Sequence, residues 1–195
     1  MTNLQENTTS HQIRIIKEYP ADSVAVPLAM RAWMRSNHAG ETGAVWIYRG
    51  ALLALWSPKI RRMAKNHIQS EKRHLVVMDQ LVPVESRCRL LMIWKILGAG
   101  LGFLSTLFGY KTFCSTISAV ESFVEEHYNE QIEFLNDHEG YSDLQLVLKR
   151  CCAEEVHHRN DAESGLSGQR GILDKIWVSL VENGSVAAVS IAKII

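Results

Sequence analysis

The sequence has little proline, little cysteine and no excess of charge. Its 195 residues include 4 prolines and 4 cysteines, and 21 basic side chains balance 21 acidic ones. A balanced charge gives no field that would hold a phosphate backbone, so nucleic acid is not an expected partner. The cysteines form no Cys-x-x-Cys pair, and Cys151 and Cys152 are adjacent, which is a poor geometry for a disulfide. We expect buried, reduced thiols in a reducing compartment.

The sequence also lacks the alternation of apolar and polar residues that is typical of β-strands, and glycine and proline interrupt it at few places. The segments between these breaks have the three-to-four spacing of apolar residues found in helices. Helices are predicted over residues 24–56, 58–81, 111–136 and 142–163, with Ser57 and Pro58 starting the second. The expected fold class is all-α.

A polar arm of residues 1–22 is expected to precede a single domain of residues 23–195. The first ten residues are polar and include Glu6, which fits neither a secretory signal with an apolar core nor an arginine-rich transit peptide. This start and the cysteine pattern favour a protein that faces the bacterial cytoplasm.

Two segments, residues 90–110 and 176–195, are much more apolar than the rest. The first carries only Lys95 as a charged side chain, and its Gly98 and Gly102 have the small-xxx-small spacing of closely packed helices. Its length would permit it to cross a bilayer. The alternative is a helix that is buried in the protein or lies in the membrane interface.

Glutamate precedes histidine by three residues at three places, namely Glu71/His74, Glu154/His157 and Glu155/His158. Positions three apart lie on one face of a helix, so each pair can offer a carboxylate and an imidazole to one ion. Two such pairs, with single glutamates from two further helices, form the ligand set of a di-iron or di-manganese site in a ferritin-like bundle.

Glu41 and Glu121 are the expected single glutamates. In an antiparallel hairpin, residues equidistant from the turn lie at one level. Glu41 lies 16 residues before a turn near residue 57 and Glu71 lies 14 after it, whereas Glu121 lies 18 before a turn near residue 139 and Glu155 lies 16 after it. Each hairpin therefore aligns its carboxylates to within about 3 Å.

Four carboxylates and two imidazoles suit iron or manganese better than a tetrahedral zinc site. Burying four negative charges without cations would be strongly unfavourable, and two divalent ions would neutralise them. A single membrane crossing by residues 90–110 would separate Glu71 and His74 from Glu121. We therefore expect this segment to lie in the membrane interface or to form a wall of a lipophilic channel, which suggests a membrane-resident substrate.

Four motifs in this chain resemble the demethoxyubiquinone hydroxylase family of ubiquinone biosynthesis, and the resemblance covers roughly residues 30–195. They are His38-Ala39-Gly40-Glu41-Thr42-Gly43-Ala44, Glu71-Lys72-Arg73-His74-Leu75, Ala119-Val120-Glu121 followed by His127-Tyr128-Asn129, and Glu154-Glu155-Val156-His157-His158.

The resemblance implies a ferritin-like four-helix bundle with a long crossover that carries an extra apolar helix, followed by an apolar C-terminal helix. It implies a di-iron monooxygenase that hydroxylates the ring of a polyprenylated methoxy-methyl benzoquinol with O2, with NADH as reductant. The expected location is the cytoplasmic face of the bacterial inner membrane, as a peripheral protein. The expected partners are the quinol, the membrane surface, and a lipid-binding accessory protein or a second copy of the chain.

The residues that the resemblance implies as metal ligands are Glu41, Glu71, His74, Glu121, Glu155 and His158. It places His127 and Tyr128 beside the metals, in substrate binding and electron transfer. This chain has Ser122 and Glu126 where the family commonly has glutamate and histidine, and a role for Glu125 or Glu126 in the site stays open.

Other interpretations of these residues stay open. Glu154 and His157 could be solvated or could lie just outside the ligands, His67 could be structural, and His38 and Tyr128 could be packing residues. The alternative functions are a di-iron oxidase or hydroxylase of another lipid or quinone, an iron-storage or metal-binding bundle, and a non-catalytic scaffold.

Overall fold

A computed structural model describes residues 24–166 and 171–195, and all regular secondary structure in these ranges is helical. The predicted arm of residues 1–22 lies outside the described residues. The helices are α1 (Arg31–Ala51), α2 (Pro58–Leu81), α3 (Leu91–Leu107), α4 (Tyr110–Asn136), α5 (Ser142–Ser164) and α6 (Ile172–Ile194), with 3-10 turns at Leu28–Met30 and Val84–Ser86.

The predicted bounds of α2, α4 and α5 agree with the structure to within one residue, but the prediction for α1 was too long at both ends. At the amino end, Pro27 has an extended backbone. At the carboxyl end, Ser57 is extended with φ −127° and ψ 93°, because a residue that precedes proline is disfavoured in the helical region. The Ser57 side chain accepts a hydrogen bond from the Ile60 amide, so the predicted start of α2 is confirmed.

Helices α1, α2, α4 and α5 form the bundle. The α1–α2 and α4–α5 pairs are hairpins with short connections, and α3 lies on the longer connection between α2 and α4. Two apolar clusters occupy the interior, one around Ile60, Phe113 and Ile117 and the other around Met78 and Leu144. The residues between these clusters on all four helices include the buried glutamates described below.

Helix α3 approaches α1 closely at glycines of both helices. Gly43 faces Gly98 and Ile47 faces Gly102, so the two helices run in the same direction. A Cβ atom on Gly98 or Gly102 would overlap the carbonyl oxygen of the facing α1 residue. The small residues therefore allow the backbones to touch, as the spacing in the sequence indicates.

We expect Gly102→Ala to destabilise the fold by about 3 kcal/mol, because the new methyl group would displace the backbone of Ile47 rather than a flexible side chain. Gly100 of the same helix is the matched control, since a Cβ there meets nothing within 4 Å. Gly100→Ala should be neutral or stabilising by up to about 1 kcal/mol. Equal effects of the two substitutions in urea unfolding would contradict this packing.

Helix α6 packs against α1 and α4, and Trp177 donates a hydrogen bond to Thr116 of α4 at 2.8 Å. Large apolar side chains of α3, α6 and the turn after α3 remain exposed, including Ile96, Phe108, Leu173 and Leu180. Within residues 24–166 and 171–195, no helix has both the length and the apolar character that are needed to cross a membrane.

Candidate metal centre

Six acidic and imidazole side chains from all four bundle helices meet in the interior. They form two groups, each with ligand atoms that all lie within 4.8 Å of one another. The first group is Glu41, Glu71, His74 and Glu155, and the second is Glu71, Glu121, Glu155 and His158. All six residues are buried, with at most 5% of their surface exposed. The structure thus brings together the six residues that the motifs indicate, and two of them belong to both groups.

Both imidazoles present Nδ1 to the carboxylates. The Nδ1 atom of His74 lies 2.7 Å from Oε1 of Glu155 and 3.6 Å from Oε2 of Glu41. The Nδ1 atom of His158 lies 2.9 Å from Oε1 of Glu71 and 3.1 Å from Oε2 of Glu155. Glu155 is therefore the carboxylate that faces both imidazoles.

The outer nitrogen of each imidazole faces a polar partner away from the cluster. The Ser70 hydroxyl donates to the His67 carbonyl at 2.8 Å and lies 2.7 Å from Nε2 of His158. Because a hydroxyl has one proton, Ser70 accepts from Nε2–H of His158, and Nδ1 is the nitrogen that faces the carboxylates. Nε2 of His74 lies 3.4 Å from Oε2 of Glu154, which also pairs with Arg73 at 2.7 Å. Such outer partners orient metal-binding imidazoles.

The donor atoms of this cluster are suited to cations. Six buried side-chain atoms in it lack a hydrogen bond of good geometry despite their short separations, namely Glu41 Oε2, both carboxylate oxygens of Glu71, Glu155 Oε1 and both ring nitrogens of His74. An unsatisfied buried oxygen is strongly unfavourable, and a shared cation would satisfy several at once. Carboxylate oxygen and imidazole nitrogen together suit iron or manganese.

Burial and the charges of neighbouring side chains shift the pKa values of the cluster in opposite directions. Burial and the charge of Glu155 raise the pKa of Glu71 to about 7, and they raise that of Glu121 well above its usual value. Burial opposes the protonation of His158, but Glu155 and Glu71 outweigh it and raise its pKa to about 11. Burial also opposes ionisation of Glu155, yet the charges of His74 and His158 lower its pKa. Metal binding to such a site displaces protons.

Two buried phenols donate hydrogen bonds to glutamates of the cluster. Tyr128 donates to Oε1 of Glu41 at 2.5 Å, and Tyr48 donates to Oε1 of Glu121 at 2.9 Å. Burial and the neighbouring carboxylates raise the pKa of both phenols, which therefore keep their protons. Sequence reasoning missed Tyr48, although it follows Glu41 by seven residues on the same face of α1.

Beyond Tyr48, a chain of polar contacts leads to the surface. The Tyr48 hydroxyl lies 3.1 Å from Nδ1 of His67, and Nε2 of His67 lies 2.8 Å from Oδ2 of the part-exposed Asp161. The His67 ring also stacks on His158, with ring centroids 4.3 Å apart. His67 is thus a buried residue that supports the cluster from outside.

The remaining candidates lie outside both groups of donor atoms. His157 and Glu126 are exposed, and Glu125 pairs with Arg159. His38 is buried, and its Nε2 lies 3.1 Å from Oδ1 of Asp79. The cysteines are buried and free, as expected.

An apolar cavity of about 510 Å3 reaches the cluster from the side of α3 and α6. Its wall includes Leu97 and Leu101 of α3 and Leu180 of α6, and its polar end includes the carboxylates of Glu41, Glu71, Glu121 and Glu155. His127 and Tyr128 also line it. The two apolar segments therefore form one wall of an apolar space that ends at the candidate metal ligands.

His127 makes the fold sensitive to acid. Burial and the charge of Lys193 lower its pKa to about 4. In the unfolded chain the pKa of a histidine is about 6.5, so the unfolded chain takes up this proton at a higher pH than the folded protein does. The contribution of the neutral His127 ring to the free energy of unfolding is therefore complete above about pH 6.5 and is lost as the pH falls toward about 4. We expect the wild type to lose about 2 kcal/mol more than His127→Gln between pH 7 and pH 5.

Urea unfolding at both pH values checks this expectation. The exposed His138 supplies a matched substitution, and His138→Gln should follow the wild type. If His127→Gln shows the same pH dependence as the wild type, His127 is not held neutral by the fold.

The helical bundle and its buried cluster define a class of protein whose interior could hold metal ions between carboxylates and imidazoles. The model of the family described as "Ubiquinone biosynthesis protein COQ7" matches residues 29–192. The chain belongs to this family, and the expected family is confirmed.

Relatives named as hydroxylases occur in eukaryotes and bacteria. The chain is 32% identical over 157 residues to "NADPH-dependent 3-demethoxyubiquinone 3-hydroxylase, mitochondrial" of Dictyostelium discoideum, which covers 78% of this chain and 71% of the relative. It is 29% identical over 164 residues to the protein of the same name from Caenorhabditis elegans, and the match covers 82% of this chain and 87% of that protein. It is 31% identical over 145 residues to "3-demethoxyubiquinol 3-hydroxylase" of Rhodospirillum rubrum, and the match covers 72% of this chain and 66% of that protein.

Proposed function

We propose that this chain is a di-iron monooxygenase that hydroxylates the ring of a demethoxyubiquinol with O2 in ubiquinone biosynthesis. The names of the relatives support the reaction and the substrate. The single observation that carries the proposal in this chain is the apolar cavity that ends at Glu41, Glu71, Glu121 and Glu155. An apolar space of this kind accepts a lipophilic ring and delivers it to the candidate metal ligands.

Glu41, Glu71, His74 and Glu155 would hold one iron, and Glu71, Glu121, Glu155 and His158 would hold the other. When bound, the iron pair would activate O2, and the external reductant would supply the electrons that each turnover consumes. NADH is the reductant expected for this chain, and the eukaryotic relatives carry NADPH in their names.

The protein's own groups orient the site and exclude water from it. Tyr128 and Tyr48 each hold one oxygen of a ligand carboxylate, which fixes the rotamers of Glu41 and Glu121. Ser70 holds the outer nitrogen of His158 by a hydrogen bond, and the carboxylate of Glu154 lies 3.4 Å from the outer nitrogen of His74. The apolar side chains of α3 and α6 that wall the cavity would exclude water from around a bound ring, which would strengthen the charge interactions inside.

The exposed apolar side chains of α3 and α6 support a peripheral position on the membrane. Phe108, directly after α3, is 69% exposed, and Leu173, in the first turn of α6, is 82% exposed. Patches of this kind mark membrane or protein contacts. The cytoplasmic face of the bacterial inner membrane is the proposed location, with a lipid-binding accessory protein or a second copy of the chain as further partners.

The proposal is tested with reduced, iron-loaded protein, a short-tailed demethoxyubiquinol and isotopically labelled O2. A product that is heavier by one labelled oxygen atom is the expected result. Full iron content without labelled product would reject the proposed reaction and favour a non-catalytic bundle. Oxidation of the quinol without oxygen insertion would favour an oxidase.

A further inference from the structure

A row of polar contacts joins α1 to α4 beside the cavity. Asn37 and Gln131 exchange two hydrogen bonds, at 2.7 and 3.0 Å, through their side-chain amides. One turn away along α4, the Ser36 hydroxyl lies 3.1 Å from Nε2 of His127. Ser36, Asn37 and His127 all line the cavity, and all three are buried.

The Ser36 contact determines which nitrogen of His127 carries the proton. The Ser36 hydroxyl lies 2.7 Å from the carbonyl oxygen of Trp33, and a carbonyl oxygen can only accept. The single hydroxyl proton is therefore used in that bond. Ser36 can then only accept from His127, so the proton of the neutral imidazole lies on Nε2 and the lone pair lies on Nδ1.

The Nδ1 lone pair of His127 is available to a bound molecule. No residue in 24–166 or 171–195 makes a hydrogen bond to Nδ1, and the ring lines the cavity while it stacks against Phe123. The lowered pKa of His127 keeps the ring neutral at physiological pH. Two other polar groups of the wall are already engaged, since Asn37 bonds Gln131 and Tyr128 bonds Glu41.

A hydrogen-bond acceptor in an apolar cavity distinguishes the two redox forms of a benzoquinone ring. A quinol hydroxyl donates to the Nδ1 lone pair, whereas a quinone carbonyl only accepts and would face the lone pair unsatisfied. With the other tautomer, Nδ1–H would favour the quinone instead.

We propose that Ser36 is a positioning residue that holds His127 in the Nε2–H tautomer and thereby makes the cavity select the hydroxyl-bearing, reduced form of its ring substrate. The tautomer rests on the contacts of Ser36 alone. The selectivity rests on the proposed function, which supplies the quinol.

The tautomer is tested by nitrogen NMR of the imidazoles in the full chain loaded with Zn2+, which is diamagnetic and does not turn over. The His127 signal is assigned by its absence in His127→Gln. We expect the wild type to show Nε2–H, Ser36→Ala to shift toward Nδ1–H, and Ser36→Thr, which keeps the hydroxyl, to restore the wild-type signal. Ser118→Ala, at another buried serine, should leave the signal unchanged. Nδ1–H in the wild type, or an unchanged tautomer in Ser36→Ala, would overturn the proposal.

The selectivity is tested by binding of a short-tailed methoxy-methyl benzoquinol and of the matching benzoquinone to the same zinc-loaded proteins without O2. We expect tighter binding of the quinol by the wild type, and a loss of about fivefold in that preference in Ser36→Ala, the effect of one hydrogen bond. Equal binding of both forms by the wild type would overturn this proposal but leave the proposed function intact. If neither form binds although the NMR result is as expected, the proposed substrate is wrong and the selectivity fails with it.

Discussion

Glu155→Ala is expected to abolish both bound iron and hydroxylated product. Glu155 belongs to both groups of candidate ligands, and its oxygens lie 2.7 Å from His74 Nδ1 and 3.1 Å from His158 Nδ1. Removing one oxygen donor that serves two ions weakens both sites at once, and the remaining ligands lose the carboxylate that aligns the imidazoles. Iron per chain, measured by elemental analysis after reconstitution, should fall from about two to near zero.

Glu126→Gln is the matched control, because it removes a carboxylate that is exposed on α4 and lies outside both groups. This variant should keep the wild-type iron content and activity. Circular dichroism of the metal-free proteins should show that both variants remain helical. Retention of two iron ions by a folded Glu155→Ala protein would refute the ligand assignment.

Ala44→Phe is expected to lower hydroxylation by about 100-fold or more while leaving the iron content unchanged. Ala44 lines the cavity on α1, one turn beyond Glu41, and is not a candidate ligand. A phenyl group there would occupy space that the substrate ring needs, so the ring could not reach the proposed iron pair. Product formation and iron content are measured on the same preparation, which separates access to the cavity from metal binding.

Ala153→Phe provides the matched substitution at an exposed position of α5 outside the cavity wall. Its activity should equal that of the wild type. Undiminished turnover by a folded Ala44→Phe protein would show that the substrate does not use this cavity, and the proposed function would lose its main support.

The secondary structure and the candidate ligands were largely predictable because both depend on short-range sequence. The Ser57–Pro58 pair indicated the start of α2, and the Glu71/His74 and Glu155/His158 pairs share a helix face through their spacing of three residues. Counting residues from the turn of each helical hairpin also placed Glu41 level with Glu71 and Glu121 level with Glu155, since the connections between paired helices are short. That these six residues bind iron stays a prediction.

The early end of α1 and the role of Tyr48 were not predictable in the same way. α1 ends at Ala51, and the turns over residues 52–56 that follow it contain no glycine or proline that would mark them in the sequence. Tyr48 resembles any core aromatic in the sequence, and its hydrogen bond to Glu121 exists only because α1 and α4 lie side by side.

By itself, the amino-acid sequence determined an all-helical chain, its helical hairpins, and a level at which carboxylates and imidazoles from four helices could meet. Only the tertiary structure decided that α3 and α6 enclose an apolar cavity that ends at those carboxylates, and that the Ser36 and Ser70 hydroxyls face imidazoles of other helices. The physical reason is the distance along the sequence over which each kind of interaction acts. Helix formation and the alignment of residues within a helix are local, whereas cavities and imidazole tautomers depend on contacts between side chains that are distant in sequence.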